Sequence, residues 1–228
     1  EVFNFPIEWI PKTFTLANYE RVWNSDVPFT LFFKNSVKIT VLAVIGEVVT
    51  SALAGYAFAK IKFKGRNIVF LIYISTLIFP AQMMLIPRFV LFREINIYNT
   101  HWALILPGMF TAFGTFLLRQ FFSTIPEELT ESAKIDGASH FTIFTKIVLP
   151  LSTAAVSALI IFQFVGMWNQ YEPALVYLRT KELATIPLGL QYFNEENSTS
   201  YATIMAASVS ALLPIFIVFL AFQKQYVQ

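Results

Sequence analysis

Five runs of sequence, each about as long as a membrane span and nearly free of charge, decide most of what this chain can become. They lie at about 36–59, 68–92, 100–122, 147–171 and 201–223. A helix needs ~20 apolar residues to cross hydrocarbon. No water is present there, so backbone groups must pair within the segment, and a helix does that. Prolines 80, 87, 107, 150 and 214 sit in or near these runs. They kink or break soluble helices but are tolerated in membrane bundles. The expectation is an all-α polytopic membrane protein with five transmembrane helices in this chain. Composition agrees: 56% of the 228 residues are apolar and 13% charged, against roughly 25% charged in a soluble domain. It also excludes chemistry. There is no cysteine, and the histidines are only His101 and His140, so no metal site and no catalytic thiol is expected. No phosphate-binding glycine loop occurs. The net charge of +2 is spread along the chain, which argues against a nucleic-acid partner.

Orientation follows from basic residues. Lys60, Lys62, Lys64 and Arg66 crowd the short loop between the first two runs, which places that loop in the cytoplasm. With that loop inside, eight Lys and Arg fall on each side, so the total does not decide and the short loop carries the assignment. Residues 123–146 are then cytoplasmic, whereas 1–34 and 172–200 are extracytoplasmic. An exported N-terminal segment without a signal-type apolar core predicts a preceding membrane helix. The parent would have six spans, and this chain one transmembrane domain over 1–228. The abrupt end at Gln228 likewise reads as a cut.

The cytoplasmic segment differs in kind. It reads Ser123-Thr-Ile-Pro-Glu-Glu-Leu-Thr-Glu-Ser-Ala-Lys-Ile-Asp-Gly-Ala-Ser and runs on to Ile147-Val-Leu-Pro150. Thr124 with Glu127 fits a capping box, and Pro126 suits a first helical turn. Leu129, Ala133 and Ile135 or Asp136 then fall near one face. Gly137 and Ser139 read as a break between two short helices. Four acids and one Lys between Glu127 and Ala138 do not suit a helix lying on lipid, which is rich in Lys and Arg. A short helix of this kind suits a groove on another protein.

At these residues the chain resembles the binding-protein-dependent ABC importer permeases, whose signature is E-A-A-x(3)-G-x(9)-I-x-L-P. Here it stands as Glu131-Ser132-Ala133, Gly137, then Ile147-Val148-Leu149-Pro150, with Ser132 as the one departure. Phe14 to Tyr19, Asn35-Ser36, Gly55 to Ala59, Ile86-Pro87, Asn99-Thr100, Leu106-Pro107 and Leu117 to Phe122 extend the likeness to the carbohydrate branch. There the chain is similar to the second permease of the maltose-transporter family. The resemblance implies a multi-pass subunit of the cytoplasmic (inner) membrane that imports a sugar and catalyses no reaction. Its partners would be a second, unlike permease, two ATPase subunits, an extracytoplasmic solute-binding protein and membrane lipid. No cofactor belongs to this chain; ATP and Mg sit in the ATPase subunits. Glu131, Ser132, Ala133, Asp136 and Gly137 would form the ATPase-coupling helix. A stand-alone secondary transporter should show an inverted repeat or intramembrane charge pairs, and neither is visible. A membrane-embedded redox enzyme is disfavoured by the scarcity of His and Cys.

Four further groups stand out. Glu47 is a lone mid-span carboxylate, either functional or simply turned into the bundle. Ser51, Gly55 and Ala59, spaced by four, permit close helix packing. Trp168, Asn169, Gln170 and Tyr171 form a polar-aromatic group, and Trp168, Asn169 and Tyr171 are taken from it as substrate-path candidates, because sugars use amides and aromatic faces, although an interfacial belt is the commoner role. Gln82, beside Pro80, could also line the path.

Overall fold

The computed structural model describes residues 15–24, 27–196 and 201–226. Every regular element among them is helical. After a short helix α1 (Ala17–Trp23), α2 (Phe29–Lys60) runs unbroken for 32 residues. At 1.5 Å per residue it is about 48 Å long, so it exceeds the hydrocarbon and begins well before the expected Ser36. One stripe of α2, at Val37, Val41, Ile45, Val49 and Leu53, is exposed. The opposite stripe is small: Ser51 is buried, and a Cβ built on Gly55 would lie 3.0 Å from the Arg119 nitrogen and 3.2 Å from the Leu118 Cβ. The spacing-four residues therefore do bring two backbones together, and they do so within this chain.

The expected span at 68–92 is not one helix. It consists of α3 (Arg66–Ser75), two 3-10 turns (Thr76–Ile78 and Ala81–Met84) and α4 (Leu85–Glu94). The halves are bent by 93°. Pro80 removes a backbone donor and forces Phe79 into extended backbone, since the residue before proline avoids the helical region. The third span is also interrupted. α5 (Trp102–Gly108) contains Pro107, and α6 (Ala112–Thr124) starts afresh with Thr111 as its cap. The Thr111 hydroxyl accepts from the Gly114 backbone at 3.0 Å.

α7 (Glu127–Ile135) follows at once. The next apolar segment begins at His140, not Ile147, as α8 (His140–Leu151), and α9 (Thr153–Trp168) crosses it at 78°. Residues Phe144–Val148 widen into a π-turn just ahead of Pro150, whose ring cannot fit an ordinary turn. The Ser152 hydroxyl donates to the Val148 carbonyl at 2.6 Å and so satisfies a carbonyl at the bend. Only the 16 residues of α9 cross straight. They end at Trp168, with Asn169 as the C-cap, short of the expected Tyr171. α10 (Glu172–Tyr177) and α11 (Ile186–Glu196) lie in the connection to α12 (Tyr201–Tyr226). Among the described residues three stretches are long and apolar enough to cross a membrane, namely α2, Trp102–Thr124 taken across its interruption, and Tyr201–Gln223, and the count reaches five if each bent pair is one span.

Two apolar clusters hold the bundle. One, around Phe29, Phe32, Leu104, Trp168 and Tyr177, occupies the end away from the Lys60–Arg66 loop. The other, around Tyr56, Leu118, Phe122, Ile143, Phe144 and Leu159, lies toward that loop. The first is stitched to α2 by side chains. Asn35 Nδ2 donates to the carbonyls of Glu182 (2.8 Å) and Ala184 (3.0 Å), and the Ile186 nitrogen donates to the Ser36 hydroxyl at 2.8 Å. Asn35→Ala removes the first two bonds and leaves two carbonyls unpaired. The expected cost is about 1–3 kcal/mol. It should be read as faster proteolytic nicking between Thr180 and Ile186 with the rest of the bundle intact; an unchanged nicking rate would reject it.

Candidate functional site

The signature residues occupy a short, stiff element. α7 has Pro126 at its N-cap, with no side-chain cap. The expected Thr124–Glu127 capping box does not form. Thr124 is instead the last residue of α6, and its hydroxyl donates to the Phe121 carbonyl at 2.8 Å. At the other end the chain stops as a Schellman motif. The Ala138 nitrogen donates to Ala133 O (2.9 Å) and the Gly137 nitrogen to Lys134 O (3.0 Å). Gly137 sits at φ +80°, the left-handed region where a side chain is costly. Ser139 then caps α8, its hydroxyl accepting from the Thr142 nitrogen at 3.2 Å. The break expected between two helices at Gly137 and Ser139 is present.

The helix buries Thr130 and half-buries Ala133 against the bundle, while Glu128, Glu131, Ser132, Asp136 and Gly137 are exposed. Leu129 is 46% and Ile135 86% exposed. The face turned outward thus carries two large apolar side chains among acids. Of the three apolar residues expected on one face, Ala133 points inward and the other two point out.

A second feature is a cleft of about 630 Å³ where the broken elements meet. It is lined by Thr76, Phe79 and Ala81 from the break at Pro80, by Pro107 to Ala112 from the interruption of the third span, and by Gln163, Gly166 and Gln170 from α9 and its end, with Arg88 from α4. Gln163 Nε2 donates to the Gly108 carbonyl at 2.7 Å. Gln170 Oε1 is buried with no hydrogen-bond partner. Glu47 supports one wall from behind. It is buried, its Oε1 accepts from the Thr111 hydroxyl, and the Thr50 hydroxyl donates to the Met109 carbonyl at 2.6 Å. The Tyr73 hydroxyl donates to the Thr111 carbonyl at 3.1 Å. Glu47 therefore faces the bundle interior and ties α2 to the interruption.

The path candidates named from sequence fall elsewhere. Gln82 is exposed at the bend and does not line the cleft. Trp168 is 2% exposed; its Nε1 donates to the Ala211 carbonyl at 2.9 Å, and its ring stacks on Phe164 at 5.6 Å. It is packed into the buried cluster and not set in an exposed belt. Asn169 is exposed and donates to Val165 in its own helix at 3.0 Å. Tyr171 donates its hydroxyl to Gln191. Trp168 and Asn169 share a smaller pocket of about 250 Å³ with Ile186, Pro187 and Leu212. Of the polar-aromatic group singled out from sequence, Gln170 alone lines the cleft; sequence reasoning missed Gln163 and Arg88. Gln163 and Gln170 lie seven residues apart, two helical turns and so one face, and that spacing was the available signal.

Residues 48–228 match the family model described as "Binding-protein-dependent transport system inner membrane component". The chain is 34% identical over 217 residues to the arabinooligosaccharides transport system permease protein AraQ of Halalkalibacterium halodurans, covering 95% of this chain and 78% of that one. It is also 34% identical over 234 residues to the sn-glycerol-3-phosphate transport system permease protein UgpE of Salmonella typhi, covering 100% of this chain and 83% of that protein. Among solved structures, a bacterial ABC transporter involved in the import of the acidic polysaccharide alginate has the same fold, with a TM-score of 0.84 at 24% identity over 94% of this chain and 81% of that one.

Proposed function

Because the chain belongs to the family of binding-protein-dependent transport system inner membrane components, we propose that it is one of two unlike permeases of an ATP-driven importer for a carbohydrate or a carbohydrate derivative. Its relatives are permease proteins, so it is a transport subunit and not an enzyme. In this reading the Lys60–Arg66 loop and α7 face the cytoplasm, where α7 docks in a groove of an ATPase subunit that holds ATP and its Mg2+. Residues 172–200 face outward toward a solute-binding protein. Residues 1–34, the last six of which form the start of α2, lie on that same side; those before Thr15, and residues 25 and 26, lie outside the described residues. Closure of the ATPase pair would move α7 and switch the bundle between inward-open and outward-open states, a coupling free energy carried by a two-state element. The cleft at the broken helices would line the solute's route.

The observation that carries this is α7 itself. It is fixed at its C-terminus, lies outside the apolar runs, and presents Leu129, Glu131 and Ile135 on its exposed face. Glu131, Ser132 and Asp136 would form the polar rim, Gly137 the turn, and Ala133 the packing to the bundle. Purification of the intact transporter tests it. The ATPase subunits should co-purify, and hydrolysis should rise with loaded binding protein; a permease that carries no ATPase would overturn the reading.

One observation favours an anionic solute within this class. Arg88 is the only charged side chain among the described residues lining the cleft. Arg88 is exposed at the cleft, and its planar guanidinium matches phosphate or carboxylate bidentately. Arg88→Gln should raise KM for an anionic sugar about tenfold, the equivalent of one charge-assisted hydrogen bond of ~1.4 kcal/mol. Uptake of a neutral sugar should not change. Equal effects on both would reject the assignment.

A further inference from the structure

We propose that Tyr56 and Lys60 are positioning residues for coupling: one turn of α2 grips the coupling segment at both ends and makes α2 the helix that receives its movement. This rests on the reading of α7 as the docking helix. Lys60 Nζ donates to the Ile125 carbonyl at 2.6 Å, two residues before α7 begins. The Tyr56 hydroxyl and His140 Nδ1 are hydrogen-bonded at 3.2 Å, where α8 starts. Residues four apart share one helix face, so a single turn of α2 holds both the entry and the exit of the segment.

The grip is not incidental to packing. Tyr56 is 5% exposed, and its ring leans on Phe144 at 5.2 Å and stands edge-on to His140 at 6.3 Å. The Lys62–Glu127 pair at 3.7 Å is largely exposed and adds little. Beyond Ile125, which is itself buried in the neighbouring apolar cluster, the remaining anchors of α7 to the bundle are small: Thr130 is buried, and Ala133 and Ala138 pack against that cluster. Without the two α2 contacts, α7 could turn about Ile125 and Ser139 while the spans stayed still. With them, a push on α7 reaches a continuous helix. Thirteen residues further along that helix, about 20 Å away, Glu47 bonds Thr111 at the wall of the cleft.

The test uses the complete transporter in liposomes with its ATPase subunits and binding protein. Lys60→Met keeps the stem and loses the donor; Tyr56→Phe keeps the ring and loses only the hydroxyl. Each should lower the solute moved per ATP hydrolysed by roughly fivefold, in line with loss of one buried polar contact, with the ATPase subunits still bound. Lys60→Arg, which restores a donor, should recover the ratio. Wild-type ratios in both Lys60→Met and Tyr56→Phe would overturn the proposal, as would loss of the Lys60→Met permease from the membrane with no recovery in Lys60→Arg. Glu131→Ala, run alongside, separates the two ideas. If Glu131→Ala uncouples while the α2 variants do not, only the grip is wrong; if Glu131→Ala also transports normally, the docking-helix reading fails.

Discussion

Gly137→Val should abolish most solute uptake while leaving the permease in the membrane at its usual level. Nothing lies within 4 Å of a Cβ built at Gly137, so no clash arises. The whole cost comes from φ +80°, where an L-residue loses about 1–2 kcal/mol and a β-branched one more. The chain can escape only by unwinding the Schellman turn, which frees the carbonyls of Ala133 and Lys134 and lets the end of α7 drift. Asn visits the left-handed region at modest cost, so Gly137→Asn should retain much of the uptake. Glu131→Ala acts on the same face without touching the backbone. Loss of an interface anchor of ~2 kcal/mol weakens ATPase docking roughly thirtyfold. Retained ATPase subunit, stimulated hydrolysis and uptake are the measurements. Normal uptake in Gly137→Val and Glu131→Ala together would remove α7 from the coupling role, and Gly137→Asn behaving as badly as Val would refute the left-handed turn as the cause.

The second large effect lies at the opposite end of the bundle. Trp168→Ala should cost about 3–5 kcal/mol, the range for emptying a large aromatic site, and should deplete the permease from the membrane. The indole stacks on Phe164, meets Phe33 edge-on at 5.6 Å and donates to Ala211 in α12. Its removal separates α2, α9 and α12 at one point and leaves the Ala211 carbonyl short of a donor. Trp168→Phe keeps most of the volume and should be milder. A solute-contacting tryptophan would behave differently: Ala would raise KM at normal protein level. Thermal unfolding of the detergent-solubilised transporter and uptake kinetics tell the two apart, and a KM-only phenotype would move Trp168 out of the core.

Trp168 also shows where sequence reading stops. The apolar runs, the signature segment and the stop at Gly137 are local properties, so they were legible from spacing and residue type alone. Which way Trp168 points depends on Phe33, more than a hundred positions away, and on Ala211, more than forty away. The same holds for the cleft. Prolines 80 and 107 signalled interruptions, but nothing local said that the two interruptions face each other across Gln163. The capping box failed for a nearer reason. Thr124 was already engaged by the preceding helix, whose end sequence did not mark. Glu47 was correctly seen as a lone acid, but its partner Thr111 could be named only once α2 and α6 were packed together.

The interrupted elements around the cleft bear on how such a permease changes its cargo. Where a helix is broken, carbonyls lose their helical donors, and at the cleft the Gly108 carbonyl is met instead by Gln163 Nε2 at 2.7 Å. Peptide groups cannot be exchanged by substitution. If the cleft lines the solute's route, as proposed, a lineage that shifts from one solute to another would work through the side chains that share the wall, chiefly Gln163, Gln170 and Arg88, while the broken backbone stays the same for every cargo.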